Sequence, residues 1–189
     1  MSSFESEKST IYETDNEQSL INESLLSQIA KLINNIININ EEKDDYIKNV
    51  MDQSFLLFHS NYIPNIALED YIFRIKKYSQ IEVSTFICAL IYIDRVILKG
   101  LFISQYNIYR LYLTCIFIAC KLFDDKKYKI NFMAKIGGVS VLELSYLEYE
   151  FCVLMNFELY IDDNNFTHYQ DFLNREIYKN KFEDVEGDI

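Results

Sequence analysis

Residues that break helices are scarce in this 189-residue chain, which has four glycines and a single proline, Pro64. This composition does not favour frequent turns or strands. The sequence also contains no internal repeat and no apolar–polar alternation longer than a few residues. Leucine, isoleucine and lysine are common instead, and half of the residues are apolar, which is enough for a substantial core. The sequence therefore predicts an all-α fold.

The cysteine and histidine patterns that bind metals are also missing. The four cysteines form no CxxC pair and lie in apolar helical runs, which predicts buried, reduced thiols: Cys88, Cys115, Cys120 and Cys152. His59 and His168 are far apart and have no Cys, Asp or Glu four residues away on a helix. We therefore expect no zinc site and no metal.

No segment has the length or composition of a membrane span or a secretion signal. The apolar run Phe86–Ile93 ends at charged residues after about two turns, too few to cross a bilayer. The first ten residues are polar and acidic and lack the apolar core of a signal peptide. These absences predict an intracellular protein of the cytoplasm or nucleus that does not bind membranes.

A catalytic or phosphate-binding set is not apparent either. Gly137 and Gly138 follow no strand and belong to no phosphate-binding motif, so we interpret them as a tight break between two helices. Glu148 and Glu150 point about 200° apart on a helix and cannot act on one substrate. No Ser/His/Asp or Cys/His set accompanies them. The sequence thus predicts a non-enzyme.

Negative charge is abundant but unevenly placed. The net charge is −11, and residues 1–24 carry six acidic residues and one basic residue. Residues 66–160 carry ten acidic and eleven basic residues and are nearly neutral. Binding to nucleic acids needs clustered lysine and arginine, so we expect no nucleic-acid partner.

These patterns divide the chain into four parts: a disordered acidic segment (1–23), an N-terminal helical segment (24–61), a main helical domain (62–173) and a C-terminal tail (174–189). In the second part, Ser24 is the predicted N-cap of one helix, and a second helix is predicted over about 44–59. Pro64 marks the start of the main domain.

Apolar periodicity predicts five helices in the main domain, over about 67–78, 82–98, 105–123, 131–136 and 141–156. Ser104 is the predicted N-cap of the third helix, and Ser140 with Glu143 has capping-box spacing at the fifth. The run Leu113–Cys120 is apolar on nearly all sides, so the third helix should be central and buried. A further helix is predicted over about 165–178.

Three motifs in this order give the chain a family resemblance: ALIYIDRVI (Ala89–Ile97), TCIFIACKLFDD (Thr114–Asp125) and LEYEFCVLMNFEL (Leu147–Leu159). Together with AKIGGVS between the last two, they resemble the cyclin box, a five-helix domain. The fuller signature is similar to that of the P/U-type single-box cyclins, which are related to fungal phosphate-signalling regulators. The resemblance covers about residues 62–173 and implies a cyclin box with flanking N-terminal and C-terminal helices.

The resemblance implies a regulatory subunit that binds and activates a cyclin-dependent protein kinase. Lys121 and Glu148 match the lysine and glutamate with which the family contacts the kinase, and both should be partly exposed. The alternative for this pair is a local surface salt bridge. Four apolar residues match the lining of the kinase groove, with core packing as their alternative: Leu122, Tyr149, Cys152 and Leu159. Asp94 and Arg95 are expected to tie their helix to its neighbours. ATP and magnesium would belong to the kinase, so no cofactor is expected.

The sequence departs from the better-known cell-cycle cyclins at the start of the first box helix. There Pro64–Leu68 reads PNIAL, with Asn65 in place of the arginine of their docking motif. No second five-helix box is expected after Leu173. Two other functions stay open from the sequence: a helical adaptor that has the cyclin fold without activating a kinase, and a nucleic-acid or transcription-factor module, which the charge disfavours.

Overall fold

The computed structural model describes residues 2–43, 45–52 and 57–186, with side chains described over 17–43, 45–46, 48–52 and 57–179. These ranges contain eight helices and no strand, so the all-α prediction is confirmed. In chain order the helices are α1 (Ser2–Glu41), α2 (Tyr46–Asp52), α3 (Leu68–Ser79), α4 (Val83–Leu98), α5 (Ile108–Phe123), α6 (Ile130–Gly137), α7 (Val141–Leu154) and α8 (Asp163–Glu186).

The helices α3 to α7 are the five that the sequence predicts for the main domain, and α5 lies at their centre. Every residue from Leu111 to Cys120 is buried, as expected for a helix that is apolar on all sides. It packs against α4, α6 and α7, while α3 contacts α6. The prediction of a central, buried third helix is therefore confirmed.

α1 belongs to the same core as the main domain. Its buried residues recur at helical spacing on one face, and the helix packs against α3, α4 and α8: Leu25, Leu26, Ile29, Ala30, Ile33 and Ile37. The predicted start of this helix at Ser24 is wrong. The hydroxyl of Ser24 donates a hydrogen bond to the Leu20 carbonyl oxygen (2.9 Å) inside a helix that begins at Ser2. The structure thus has helix over 2–23, where the sequence predicted disorder.

The second predicted helix, over about 44–59, is shorter in the structure. α2 ends at Asp52, and residues 57–60 are not helical. Phe58 is fully buried and meets the edge of the Phe151 ring of α7 (centroids 6.5 Å apart). The buried Phe58 ring thus helps to anchor this irregular segment to the domain.

The two N-cap predictions in the main domain have different outcomes. The Ser140 side chain accepts a hydrogen bond from the backbone N–H of Glu143 (3.0 Å), which confirms it as the cap of α7. Ser104 is not the cap of α5, because the helix starts after Asn107. The Asn107 side chain instead closes the preceding loop through Ser104 N–H (3.0 Å) and the Phe102 carbonyl (2.7 Å).

Gly137 and Gly138 end α6 for two separate reasons. Gly138 has a φ of +75°, a left-handed conformation in which its N–H reaches the Ala134 carbonyl. Gly137 lies against α5, where an added Cβ would overlap the side chain of the fully buried Leu113. The interpretation of the pair as a turn and packing requirement is confirmed.

Candidate functional site

Lys121 lies where α5 leaves the core. The ten residues before it are buried, whereas Lys121, Leu122 and Phe123 are exposed. The apolar stem of a lysine can follow the protein surface while its ammonium group stays in water. With 44% of its side chain exposed, Lys121 has the surface position expected from the sequence.

Lys121 and Glu148 form a salt bridge between α5 and α7. Lys121 Nζ lies 2.5 Å from Glu148 Oε1, and the glutamate side chain is 24% exposed. The same ammonium lies 4.3 Å from the centroid of the Phe117 ring, one turn earlier on α5. A carboxylate and an aromatic face thus hold one cation at the surface. The two predicted charged residues are therefore adjacent and already paired in this chain.

The backbone around Lys121 is fixed by a second lysine. Lys127 Nζ donates hydrogen bonds to the carbonyl oxygens of Lys121 (3.0 Å) and Asp124 (2.8 Å). Carbonyl groups in the last turn of a helix have no partner within it, and a cation is also favoured at this end of the helix dipole. Lys127 therefore supports the position of Lys121.

The four apolar residues of the predicted site fall into two pairs. Leu122 is 49% exposed and Tyr149 is 67% exposed, so both can contact a partner. Cys152 and Leu159 are half-buried and pack against the core. Core packing, the alternative to kinase contact, therefore accounts for part of the surface of Cys152 and Leu159. It accounts for less of the surface of Leu122 and Tyr149.

The Cys152 thiol has no activated character. Burial raises its pKa, the Glu148 carboxylate raises it further, and Lys121 acts in the opposite direction. A thiol whose pKa is raised stays protonated at neutral pH and is a poor nucleophile. Cys152 therefore offers a small, half-buried apolar surface beside the salt bridge.

The segment that carries Leu159 is held by α4. Tyr92 Oη donates to the Leu159 carbonyl (2.6 Å), and Arg95 Nη1 donates to the carbonyl of Tyr160 (2.8 Å). Asp94 accepts a hydrogen bond from Tyr169 Oη of α8 (2.6 Å). The expected structural role of Asp94 and Arg95 is confirmed, because both tie α4 to neighbouring segments.

Glu150 has a structural role that its position in the sequence does not indicate. Its Oε2 accepts a hydrogen bond from the backbone N–H of Leu57 (3.0 Å) and so joins α7 to the segment before the main domain. Burial raises the pKa of Glu150, and the Leu57 hydrogen bond offsets part of that effect. Glu148 and Glu150 thus contact different neighbours, in agreement with the prediction that their side chains point in different directions from the helix. Their spacing in the sequence contains no signal for the Leu57 contact.

The segment Pro64–Leu68, which the resemblance matches to the docking motif of the cell-cycle cyclins, borders an open groove. Residues 63–68 line about 550 Å³ of space together with parts of α1 and the start of α5. Asn65 is exposed there, and Tyr109 Oη donates to the Ile66 carbonyl (2.6 Å) at its edge. The groove thus carries a neutral amide at the position where those cyclins have an arginine.

Metal-binding clusters are absent from the part of the chain that the structure describes, since no three His, Cys, Asp or Glu residues there could hold an ion. The His59 ring stacks on the Tyr106 ring (centroids 5.5 Å apart), and His168 meets the edge of Tyr169.

Across the described ranges no helix has an apolar stretch long enough to span a membrane.

Comparison with known proteins agrees with the family that the motifs indicate. The Cyclin family model matches residues 23–159. Cyclin-U4-1 of Arabidopsis thaliana is 32% identical over 162 residues, which cover 84% of this chain and 80% of that protein. Cyclin-U2-1 of the same plant is 37% identical over 64% of this chain and 55% of its own length. PHO85 cyclin-7 of Saccharomyces cerevisiae is 31% identical over 80% of this chain and 60% of its own length. The chain therefore belongs to the cyclin family, with U-type and PHO85-type cyclins among its relatives.

Proposed function

We propose that this chain is a non-catalytic regulatory subunit that binds and activates a cyclin-dependent protein kinase of the PHO85 type. The names of the yeast relatives point to that kinase. The observation that carries the proposal is the Lys121–Glu148 pair on α5 and α7, partly exposed and next to the apolar surface of Leu122 and Tyr149. We assign kinase contact to the six predicted residues: Lys121, Glu148, Leu122, Tyr149, Cys152 and Leu159.

The salt bridge can contact a partner without coming apart. A lysine ammonium has three N–H donors, and the bond to Glu148 Oε1 uses one of them. The remaining donors and carboxylate lone pairs can bind backbone groups that are freed at the end of a partner helix. A mobile kinase helix would thus find a charged contact whose geometry is already set by α5 and α7.

Activation would follow from a difference in binding between two kinase states. A rigid helical surface that fits only the inward position of the kinase's regulatory helix shifts the kinase towards that state. The kinase then completes its own Lys–Glu pair and orders its activation loop. ATP and magnesium remain with the kinase, so this chain needs no cofactor of its own.

The test compares binding and activation with purified PHO85. The double variant Lys121→Ala/Glu148→Ala is expected to bind the kinase at least about tenfold more weakly and to lose activation in proportion, because one side of a desolvated charged contact is removed. The matched control is a second surface salt bridge, the pair Lys179 and Glu176 of α8, whose side chains are joined at 2.8 Å. Replacing both of these residues by alanine should leave binding and activation unchanged.

Three results would contradict the proposal in different ways. If the wild-type chain fails to bind PHO85, the proposed partner is wrong. Binding without stimulation of kinase activity would favour the adaptor alternative instead. Full binding and activation by the Lys121/Glu148 variant would reject the assigned site, while the partner would stand.

A further inference from the structure

Helix α7 is apolar on two opposite faces. Its inner face packs into the core through Leu144, Leu147 and Phe151, all buried. Its outer face carries four exposed apolar side chains, which we call the α7 outer row: Leu142 (65% exposed), Tyr146 (56%), Tyr149 (67%) and Val153 (46%). The spacing of four, three and four residues places all of them along one line of the helix.

The α7 outer row has the geometry of a helix-packing seam. Apolar residues at i, i+4, i+7 and i+11 are the spacing with which one helix packs lengthwise on another. The row is about 16 Å long at 1.5 Å per residue. Contiguous apolar surface of this kind on a folded domain usually marks an interaction site, and tyrosines are enriched among the residues that dominate binding energy.

The row is continuous with the proposed kinase contact. Tyr149 belongs to both surfaces, since it is one of the six assigned residues and also lies in the outer row, where it is 67% exposed. A stable interface buries about 800 Å² per partner and involves roughly 20–30 residues a side. The six assigned residues cannot supply that area alone, because Cys152 and Leu159 are half-buried already. Additional apolar surface next to them is needed, and the outer row provides it.

Charge argues against a second copy of this chain as the occupant. Glu143 and Glu150 lie along one side of α7 beside the row, and Glu148 lies along the other. Glu143 and Glu148 are each paired with a basic residue, Arg110 and Lys121, so the net charge of −11 on each copy is what opposes the pairing of two copies. A net charge far from zero favours the monomer over self-association.

We propose that the α7 outer row is a second part of the kinase contact and packs against an uncharged, apolar helical surface of the kinase. This inference rests on the proposed function. It extends the kinase contact from the Lys121–Glu148 pair, through Tyr149, to the rest of the α7 outer row. Leu142, Tyr146 and Val153 thereby become binding residues that none of the motifs in the sequence indicated.

The test leaves Tyr149 intact so that the two parts of the surface are separated. The triple variant Leu142→Ala, Tyr146→Ala and Val153→Ala is titrated with purified PHO85 beside the Lys121→Ala/Glu148→Ala variant. A control carries Leu20→Ala and Tyr178→Ala, which remove similarly exposed side chains (61% and 63%) from α1 and α8. The triple variant is expected to bind about tenfold more weakly or worse, with unchanged helicity and melting temperature, and the control to bind normally.

Photo-crosslinking gives a second readout that does not depend on the stability of the triple variant. Benzoylphenylalanine in place of Tyr146 is expected to crosslink to PHO85, and the same group in place of Tyr178 is not. Light scattering on the free chain gives the oligomeric state.

The possible failures are distinct. If the wild-type chain does not bind PHO85 at all, the proposed function falls and this inference with it. If the Lys121/Glu148 variant loses binding but the triple variant binds like the control and position 146 gives no crosslink, the inference alone is overturned. It is also overturned if the free chain is a dimer that the triple variant dissociates while kinase affinity is unchanged, because the row is then a self-contact.

Discussion

Lys121 and Glu148 form a short contact that is only partly shielded from water. Because nearly half of the lysine side chain is exposed, solvent screens much of the attraction between the two charges. The contact joins residues on two helices that are already held together by packing in the core. Its contribution to folding should therefore be small, which leaves the two residues free for a binding role.

We expect Lys121→Ala and Glu148→Ala to change the free energy of unfolding by about 1 kcal/mol or less, with a coupling energy in the same range. Urea unfolding of the two single variants, the double variant and the wild type gives this value as a double-mutant cycle. A coupling energy well above about 2 kcal/mol would mean that the main role of the pair is to stabilise the fold.

Glu150 is predicted to make stability depend on pH. Burial raises its pKa, so the folded state binds the proton more tightly than the unfolded state does. The resulting stabilisation is fully present below the unfolded pKa of a glutamate, about 4.3, and is lost as the pH rises through the raised value. Glu150→Gln keeps an acceptor for the Leu57 N–H and cannot ionise.

The stability of Glu150→Gln relative to wild type should therefore increase between about pH 4 and pH 7. Urea unfolding at several pH values checks this, with the exposed Glu69→Gln on α3 as the control. A relative stability that stays flat or decreases over that range would show that burial does not govern this carboxyl group.

At the scale of elements, the junction between α6 and α7 depends on two adjacent glycines with different tasks. Gly137 permits close packing of α6 on α5, and its carbonyl also accepts a hydrogen bond from Tyr71 Oη of α3 (3.0 Å). Gly138 supplies the left-handed residue that ends α6, after which Ser140 caps α7. The sharp turn sets α7 beside α5 and thereby brings Glu148 to Lys121.

Gly137→Ala and Gly138→Ala are both expected to lower the melting temperature, but only the first should respond to a change at Leu113. Alanine at Gly138 is strained by about 1 kcal/mol because φ is +75°. Alanine at Gly137 overlaps Leu113, so the smaller Leu113→Val should restore part of the stability lost in Gly137→Ala, relative to Leu113→Val alone. Equal behaviour of the two glycine variants in the Leu113→Val background would contradict this division of roles.

At the scale of the whole molecule, the N-terminal helix divides into an exposed end and a structural part. The side chains of residues 17–21 are exposed, whereas six apolar side chains from Leu25 to Ile37 are buried against the main domain. Burial of one such side chain contributes about 1.5–3 kcal/mol, apart from the small Ala30. Their combined contribution is comparable with the total stability of a domain, about 5–15 kcal/mol.

A chain that starts at residue 22 is therefore expected to melt near the wild-type temperature, and one that starts at residue 62 to be unfolded or strongly destabilised. Circular dichroism melts of the two truncated chains test this, with near-ultraviolet spectra to report tertiary packing. Cooperative unfolding of the shorter chain at the wild-type temperature would show that the segment 24–61 is dispensable.

Local patterns in the sequence predict the helices of the main domain and the surface position of Lys121. Apolar periodicity and nearby capping residues are local properties, so α3 to α8 begin and end within a few residues of their predicted limits, except for the longer end of α8. The apolar run of α5 stops before Lys121, and that alone places the ammonium at the end of a buried helix. The motifs in order were enough to indicate the family.

Which of these groups meet depends on how the helices pack. Lys121 and Glu148 are 27 residues apart and Leu57 and Glu150 are 93 apart, and neither distance in sequence predicts a contact. The start of α5 at Asn107 rather than Ser104 depends on a loop that the Asn107 side chain closes, and not on the preference of one residue for a cap. For α7 the sequence offers two apolar faces, and burial of Leu144, Leu147 and Phe151 against α5 and α6 is what leaves the α7 outer row exposed. The periodicity of a helix gives the spacing of its apolar residues. Which apolar face becomes buried depends on how the neighbouring helices pack.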